Sequence, residues 1–174
     1  MPRSDRVAVI VDFSGSLWHE RADGSRRKDA LDPEVAAYLG RLGPETRFLV
    51  VPFTHKIHAL TEGPVDATPA RIARAREDFA AARDSGRGDI FQALEFALSF
   101  VEIDRVVVVT DGAPTGGRRW EVGRIVDLTL ERVSLRPVTF DVVLHGAPKR
   151  LAREWSRLAS QSGGRLVAID ARGE

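Results

Sequence analysis

The chain has 174 residues, enough for one domain with a sizeable core, and its 43% hydrophobic and 29% charged content is that of an ordinary globular protein. Its 26 basic residues nearly balance 25 acidic ones, and the resulting charge of +1 provides none of the strong field that nucleic-acid binding relies on. The absence of cysteine excludes disulfides and thiolate metal sites, Met1–Asp5 lacks the apolar run of a signal peptide, and no apolar stretch approaches the ~20 residues of a membrane helix. The expectation is a single cytoplasmic domain over residues 1–174, with neither nucleic acid nor membrane as a partner.

Arg6 to Val11 is a β-branched apolar run and predicts a buried strand, followed by the short polar stretch Asp12-Phe13-Ser14-Gly15-Ser16. Trp18 to Arg27 is polar and is expected at the surface. Asp32-Pro33 has the form of a helix start, with Asp32 as N-cap and Pro33 at the first helical position, and Gly43-Pro44 stops that helix. Thr46 to Thr54 predicts a second strand, which Pro52 either places near an edge or ends before the proline, and Lys56 to Thr61 is a candidate short strand after a turn.

Thr68-Pro69 repeats the cap-plus-proline signature and opens a helix to about Arg83, with Ile72, Ala75 and Phe79 inward. Asp89 caps the next helix, with Gln92 three residues on completing a capping-box pattern, and Ile90, Leu94, Ala97, Leu98 and Val101 on one face. Arg105 to Thr110 is the third clear strand and leads into a Gly- and Pro-bearing loop to Gly117. A helix with Trp120, Val122, Ile125, Val126 and Leu130 mostly on one side, a strand around Val138 to Leu144, a helix from about Lys149 to Ser162 and a last strand over Leu166 to Ile169 complete the chain. Strands alternating with helices of this length predict an α/β fold: a doubly wound, mostly parallel central sheet with helices on both faces.

In such a sheet ligands bind at the carboxyl ends of the strands, where the strand order reverses. Asp12 and Asp111 both fall at carboxyl ends, and with Ser14 and Ser16 they form an all-oxygen donor set. Hard cations prefer oxygen, and Mg²⁺ needs only one or two carboxylates because it retains several waters.

These residues resemble the von Willebrand factor type A (VWA) family, which has a Rossmann-like fold. Its metal-ion-dependent adhesion site is written D-x-S-x-S after the first strand, a threonine in a middle loop, and T-D-G or S-D-G after the fourth strand. Asp12, Ser14 and Ser16 match the first element and Thr110-Asp111-Gly112 the last. The resemblance implies a site for Mg²⁺, or Mn²⁺ or Ca²⁺, with an open position that accepts an Asp or Glu from a partner protein. It implies a binding module assembled with, or fused to, other modules in a larger bacterial-type complex, and no enzyme. The middle element departs from the pattern, because Gly86-Arg87-Gly88-Asp89-Ile90 places Gly88 where the family has its threonine. Three arrangements follow: water fills the gap, Asp89 joins the ligands, or metal binding is lost and the domain is a scaffold. A plain N-cap is the structural role open to Asp89, and Thr110 is expected behind the ligands rather than among them.

Other features carry less. Arg87-Gly88-Asp89 spells a tripeptide that integrin-type metal sites can bind elsewhere, but the cap role accounts for Asp89. His55 and His58 lack a third ligand for zinc, and His19 and His145 have no assigned role. Trp18 and Trp120 follow the two acidic loops and stand either at the rim of a crevice or in the core, where Trp155 is expected; Arg118 and Arg119 can attract an acidic partner. A Mg²⁺-dependent phosphotransfer enzyme with Asp12 as nucleophile would need a second aspartate where the chain has Ser14. Nucleotide-binding and serine-hydrolase signatures are missing.

Overall fold

The computed structural model describes residues 6–18, 20 and 24–169; His19 and Met1–Asp5, considered above, lie outside them. Six strands and five helices follow in the order β1 (Arg6–Asp12), α1 (Arg27–Leu39), β2 (Arg47–Phe53), β3 (Val65–Asp66), α2 (Pro69–Ala81), α3 (Ile90–Ser99), β4 (Arg105–Thr110), α4 (Val122–Arg132), β5 (Thr139–His145), α5 (Lys149–Gln161) and β6 (Leu166–Ile169). A single 3-10 turn, Gly15–Leu17, follows β1. The sheet order is β3-β2-β1-β4-β5-β6, parallel throughout except for β3 against β2. This is the expected doubly wound α/β architecture.

The pleat sorts β1 onto two faces. Val7, Val9 and Val11 pack with Leu31, Val35 and Leu39 of α1 and with Ala75 and Phe79 of α2. Ala8 and Ile10 point the other way, into a core shared with α3, α4 and α5. Two helices thus cover one face and three the other. On the two-helix side β5 is less covered, so Phe140, Val142 and Leu144 are buried while Thr139, Asp141 and Val143 are half-buried. The connection from β1 leads outward to β2, whereas those from β4 lead the opposite way to β5 and β6. The strand order therefore reverses between β1 and β4, which run side by side with Val11 opposite Val109. Their carboxyl ends open the crevice that such a reversal creates.

Four local expectations are corrected, the simplest being Val101, which lies past the end of α3 and is 82% exposed instead of sharing its buried face. The first helix begins at Arg27 rather than at Pro33, which lies inside it. An interior proline loses one backbone hydrogen bond, yet the preceding turn is held from outside. Asp29 Oδ2 accepts the Arg26 N–H at 2.8 Å, and the buried Lys28 pairs with Asp32 and donates to the Phe79 carbonyl of α2 at 3.1 Å. Pro52 sits within β2 rather than ending it. Its carbonyl accepts from His58 N–H at 2.9 Å on the side away from β1, so the missing amide hydrogen faces that side too and the β1 ladder is spared. Residues 56–61 run beside β2 with one isolated bridge, Ile57 to Phe53, and the antiparallel edge strand is β3 instead.

The remaining helix starts follow their sequence signals. Thr68 Oγ1 accepts Arg71 N–H at 3.3 Å, and Asp89 Oδ1 accepts Gln92 N–H at 3.1 Å. The reciprocal half of the capping box is replaced by a tertiary bond, since the Asp89 N–H donates to the Thr54 carbonyl at 3.0 Å.

Candidate functional site

Asp12 closes β1 and Thr110 closes β4, and the chain turns sharply after each. After β1, the Ser14 N–H donates to Asp12 Oδ1 at 2.8 Å, and the Gly15 N–H donates to the Gly86 carbonyl at 3.0 Å. The first bond folds the loop back over its own aspartate, and the second ties it to the loop before α3. After β4, the Ala113 N–H donates to Asp111 Oδ1 at 3.1 Å, and the Gly112 N–H to Thr110 Oγ1 at 2.9 Å. Gly112 has φ +86°, a left-handed conformation that glycine adopts without strain, and a Cβ there would stand 3.2 Å from Ala147 Cβ. Behind this turn the fully buried Trp155 of α5 donates from Nε1 to the Gly112 carbonyl at 3.0 Å.

The two loops meet through side-chain oxygens. Ser16 Oγ donates to Asp111 Oδ2 at 2.6 Å, Ser14 Oγ lies 3.2 Å from Ser16 Oγ, and Thr110 Oγ1 donates to Asp12 Oδ2 at 2.8 Å. Asp12, Ser14, Ser16 and Asp111 thus form one connected set, to which Thr110 is joined through Asp12. They line a cavity of about 10 Å³, together with Arg27, Leu31 and His145. That space matches a single small ion or water.

Electrostatics mark Asp12. Its carboxyl is raised to about 6, first by burial and then by the negative charge of Asp111, against the opposing effect of hydrogen bonds from Ser14 and Thr110. The recorded ion pairs of the described residues give neither Asp12 nor Asp111 a cationic partner. Two neighbouring carboxylates and two hydroxyls form a hard-oxygen donor set whose charge a divalent cation would neutralise, and in that respect the residues fit one. Among the described residues no three of His, Cys, Asp and Glu converge as a metal cluster, so hydroxyl or water oxygens would have to complete the shell.

Asp89 stands apart from this set. Its carboxylate caps α3 and packs against Gly117, whose φ is +86° and where an added Cβ would overlap the carboxyl group. Gly88 does touch the set, since a Cβ there would lie 2.9 Å from Asp12 Oδ1 and 3.4 Å from Ser14 Cβ. A side chain at Gly88 would therefore crowd the Asp12 carboxylate unless that carboxylate shifted. Gly88 is held by its backbone: its N–H donates to Thr115 Oγ1 at 2.7 Å, and its carbonyl accepts from Thr115 and Gly116 at 3.2 and 3.1 Å.

Several participants were not evident from sequence. Thr115 locks the loop after β4 onto the loop before α3. His145 ends β5, so the strand-end rule points to it, whereas no sequence signal marks Arg27. Trp18 is half-buried and packs edge-on against Phe13 with ring centroids 5.8 Å apart, while Trp120 is 65% exposed on the loop before α4.

No known family profile matches the sequence. The inter-alpha-trypsin inhibitor heavy chain H2 of Mus musculus is 26% identical over 128 residues, 67% of this chain and 13% of that protein, and its Sus scrofa counterpart matches to the same extent. The chain thus spans a small part of the curated relatives it matches. Among solved structures, a von Willebrand factor type A protein from Catenulispora acidiphila superposes with TM-score 0.76 and 16% identity, covering 95% of this chain and 38% of that one. The SpRpn10 VWA domain gives 0.68 and 13% over 98% and 90% of the two chains, and BatB from Bacteroides thetaiotaomicron gives 0.66 and 14% over 95% and 90%. With the sheet order and the crevice at the β1–β4 reversal, these superpositions show that the chain has the von Willebrand factor type A fold.

Proposed function

We propose that the crevice between β1 and β4 is a divalent-cation site through which the chain docks a carboxylate of a partner protein. The observation that carries this reading is the 2.6 Å bond from Ser16 Oγ to Asp111 Oδ2, which joins oxygens from two distant loops into one set beside the buried Asp12. Asp12, Ser14, Ser16 and Asp111 are the assigned ligands. Mg²⁺ suits them best, with Mn²⁺ or Ca²⁺ as alternatives, and the ion's role is to accept a partner's Asp or Glu at an open coordination position. Asp89 is a further ligand only if it leaves the Gln92 N–H, and water beside Gly88 is the simpler completion of the shell. We place the domain in a larger cytoplasmic assembly, in line with the absence of cysteine; no helix of the described residues is long and apolar enough to cross a membrane.

A second reading, a scaffold that has lost its ion, draws support from Gly88, which supplies no side-chain oxygen. Phosphotransfer with Asp12 as nucleophile is disfavoured because Ser14 stands where such an enzyme needs a second aspartate. Titration calorimetry of chelator-treated protein with Mg²⁺, Mn²⁺ and Ca²⁺ separates the first two readings. Saturable binding that Asp111→Ala abolishes and Asp89→Asn retains supports the docking site with the four assigned ligands. Absence of binding at millimolar ion leaves the scaffold.

A further inference from the structure

The mouth of the crevice carries more positive charge than its carboxylates require once an ion is bound. Two loops form its rim on the α3–α4 side, and they are fastened together by the bonds from Thr115 and Gly116 to the Gly88 carbonyl. Arg87, Arg118, Arg119 and Trp120 stand exposed on these loops. Arg119 rests over the Phe91 ring at 5.9 Å, and the Arg87 side chain packs on Gly116 at its Cβ, so both loops that carry these exposed arginines are in contact with each other. Arg87 immediately precedes Gly88, which abuts Asp12. Arg27 lines the cavity from the opposite side.

Asp12 and Asp111 are the carboxylates that line the cavity, and a divalent ion would neutralise them, so the exposed Arg87, Arg118 and Arg119 would then stand on loops beside a site without net negative charge. None of the three rim arginines appears in the recorded ion pairs of the described residues, in contrast to Arg47, Arg105 and Arg157. Guanidinium groups free of internal carboxylates and beside an exposed tryptophan make the composition of an interface hot spot.

From this surface we infer that the chain recognises an acidic segment of a protein: one carboxylate goes to the ion, and its acidic neighbours go to Arg87, Arg118 and Arg119 while an apolar side chain lies on Trp120. The inference rests on the docking function proposed above and names the chemistry of its partner. A polynucleotide is the less suitable occupant, because the whole chain has a net charge of only +1 and the surplus is confined to the loaded mouth. Ion loading and recognition are thereby coupled, since the mouth attracts anions only when the cation is present.

Trp155 is fully buried and Trp18 half-buried, so quenching of tryptophan fluorescence by acrylamide reports mainly on Trp120. The test titrates the protein with a short capped peptide of alternating aspartate and glutamate bearing one central leucine, with its asparagine–glutamine counterpart, and with oligothymidylate. Each titration is run in Mg²⁺ and in chelator, and Mg²⁺ affinity is measured separately by calorimetry. The acidic peptide is expected to shield Trp120 only in Mg²⁺, to bind at least roughly tenfold more tightly than the neutral peptide, and to weaken steeply with salt. Arg118→Glu with Arg119→Glu should lower peptide affinity by roughly tenfold or more without weakening Mg²⁺ binding and with an unchanged circular dichroism spectrum. Mg²⁺ binding with no preference for the acidic peptide, or with no effect of the double variant, overturns this inference and leaves the cation site standing. Equal binding of oligothymidylate overturns the assignment to a protein segment. Failure of Mg²⁺, Mn²⁺ and Ca²⁺ alike to bind overturns both readings.

Discussion

Replacing Asp12 by asparagine removes a charge that burial makes unfavourable whenever the ion is absent. The Asp12 carboxyl rises from 3.8 to about 6 on folding, chiefly through burial and secondly through the charge of Asp111. Because the folded value is the higher, the native state binds more protons between these limits, and this group's contribution to stability falls as pH rises from about 4 to about 6. At neutral pH the loss amounts to about 3 kcal/mol, since one pKa unit corresponds to about 1.4 kcal/mol. Asparagine keeps the shape of the side chain, and its Oδ1 can still accept the Ser14 N–H. Thr110 Oγ1 can turn to accept from the new amide. In chelator at pH 7, Asp12→Asn is therefore expected to be more stable than the parent by up to about 3 kcal/mol, or about 6–12 °C in Tm for a chain of this size. The difference should vanish below pH 4. Saturating Mg²⁺ should reverse the order, because the ion stabilises only the protein that still has its carboxylate. Urea and thermal unfolding of both proteins from pH 4 to 7, with and without Mg²⁺, measure this directly, and the difference between them removes every other titrating group. A variant less stable than the parent at pH 7 in chelator would refute the reasoning about Asp12.

Lys28 is 2% exposed, pairs with Asp32, donates to the Phe79 carbonyl and lies 4.6 Å from the Phe79 ring centroid. Lys28→Ala leaves that carbonyl without its donor and opens a cavity under Phe13, and should cost about 3–5 kcal/mol in urea unfolding, with Lys28→Met recovering part of it. Gly117→Ala combines a φ of +86° with overlap on the Asp89 carboxyl group. A loss of about 2 kcal/mol is expected, and a double-mutant cycle with Asp89→Ala should show the steric share relieved. Trp155→Phe deletes the 3.0 Å bond to the Gly112 carbonyl. It should cost about 1–3 kcal/mol in urea unfolding and also weaken Mg²⁺ binding, because Gly112 fixes the turn that carries Asp111.

Much of this arrangement is written locally. The runs Val7–Val11 and Val106–Val109 are strands because β-branched residues suit a sheet covered on both faces, and Thr68-Pro69 and Asp89 start helices through side-chain chemistry within a few residues. The pairing of Asp12 with Asp111 was also accessible, since strand ends at a topological reversal are a general binding place and both aspartates follow strands. Local signals failed where a distant group overruled them. Asp32-Pro33 has the form of a helix start, but the helix begins a turn and a half earlier because Lys28 finds its carbonyl partner on α2, 51 positions along the chain.

Tertiary structure alone decided the finer points of the site. The sequence left Asp89 open as cap or ligand, and its carboxylate is turned towards α3 and Gly117 because the loop after β4 packs there. It marked Gly88 as a gap in the motif, whereas the fold shows that a side chain there would crowd the Asp12 carboxylate. Nothing in the chain order brings Arg27 to the cavity, which it lines from α1. Strand and helix formation depends on neighbours a few residues apart and can be read from them, whereas the direction of a loop side chain depends on whatever the closed sheet brings against it.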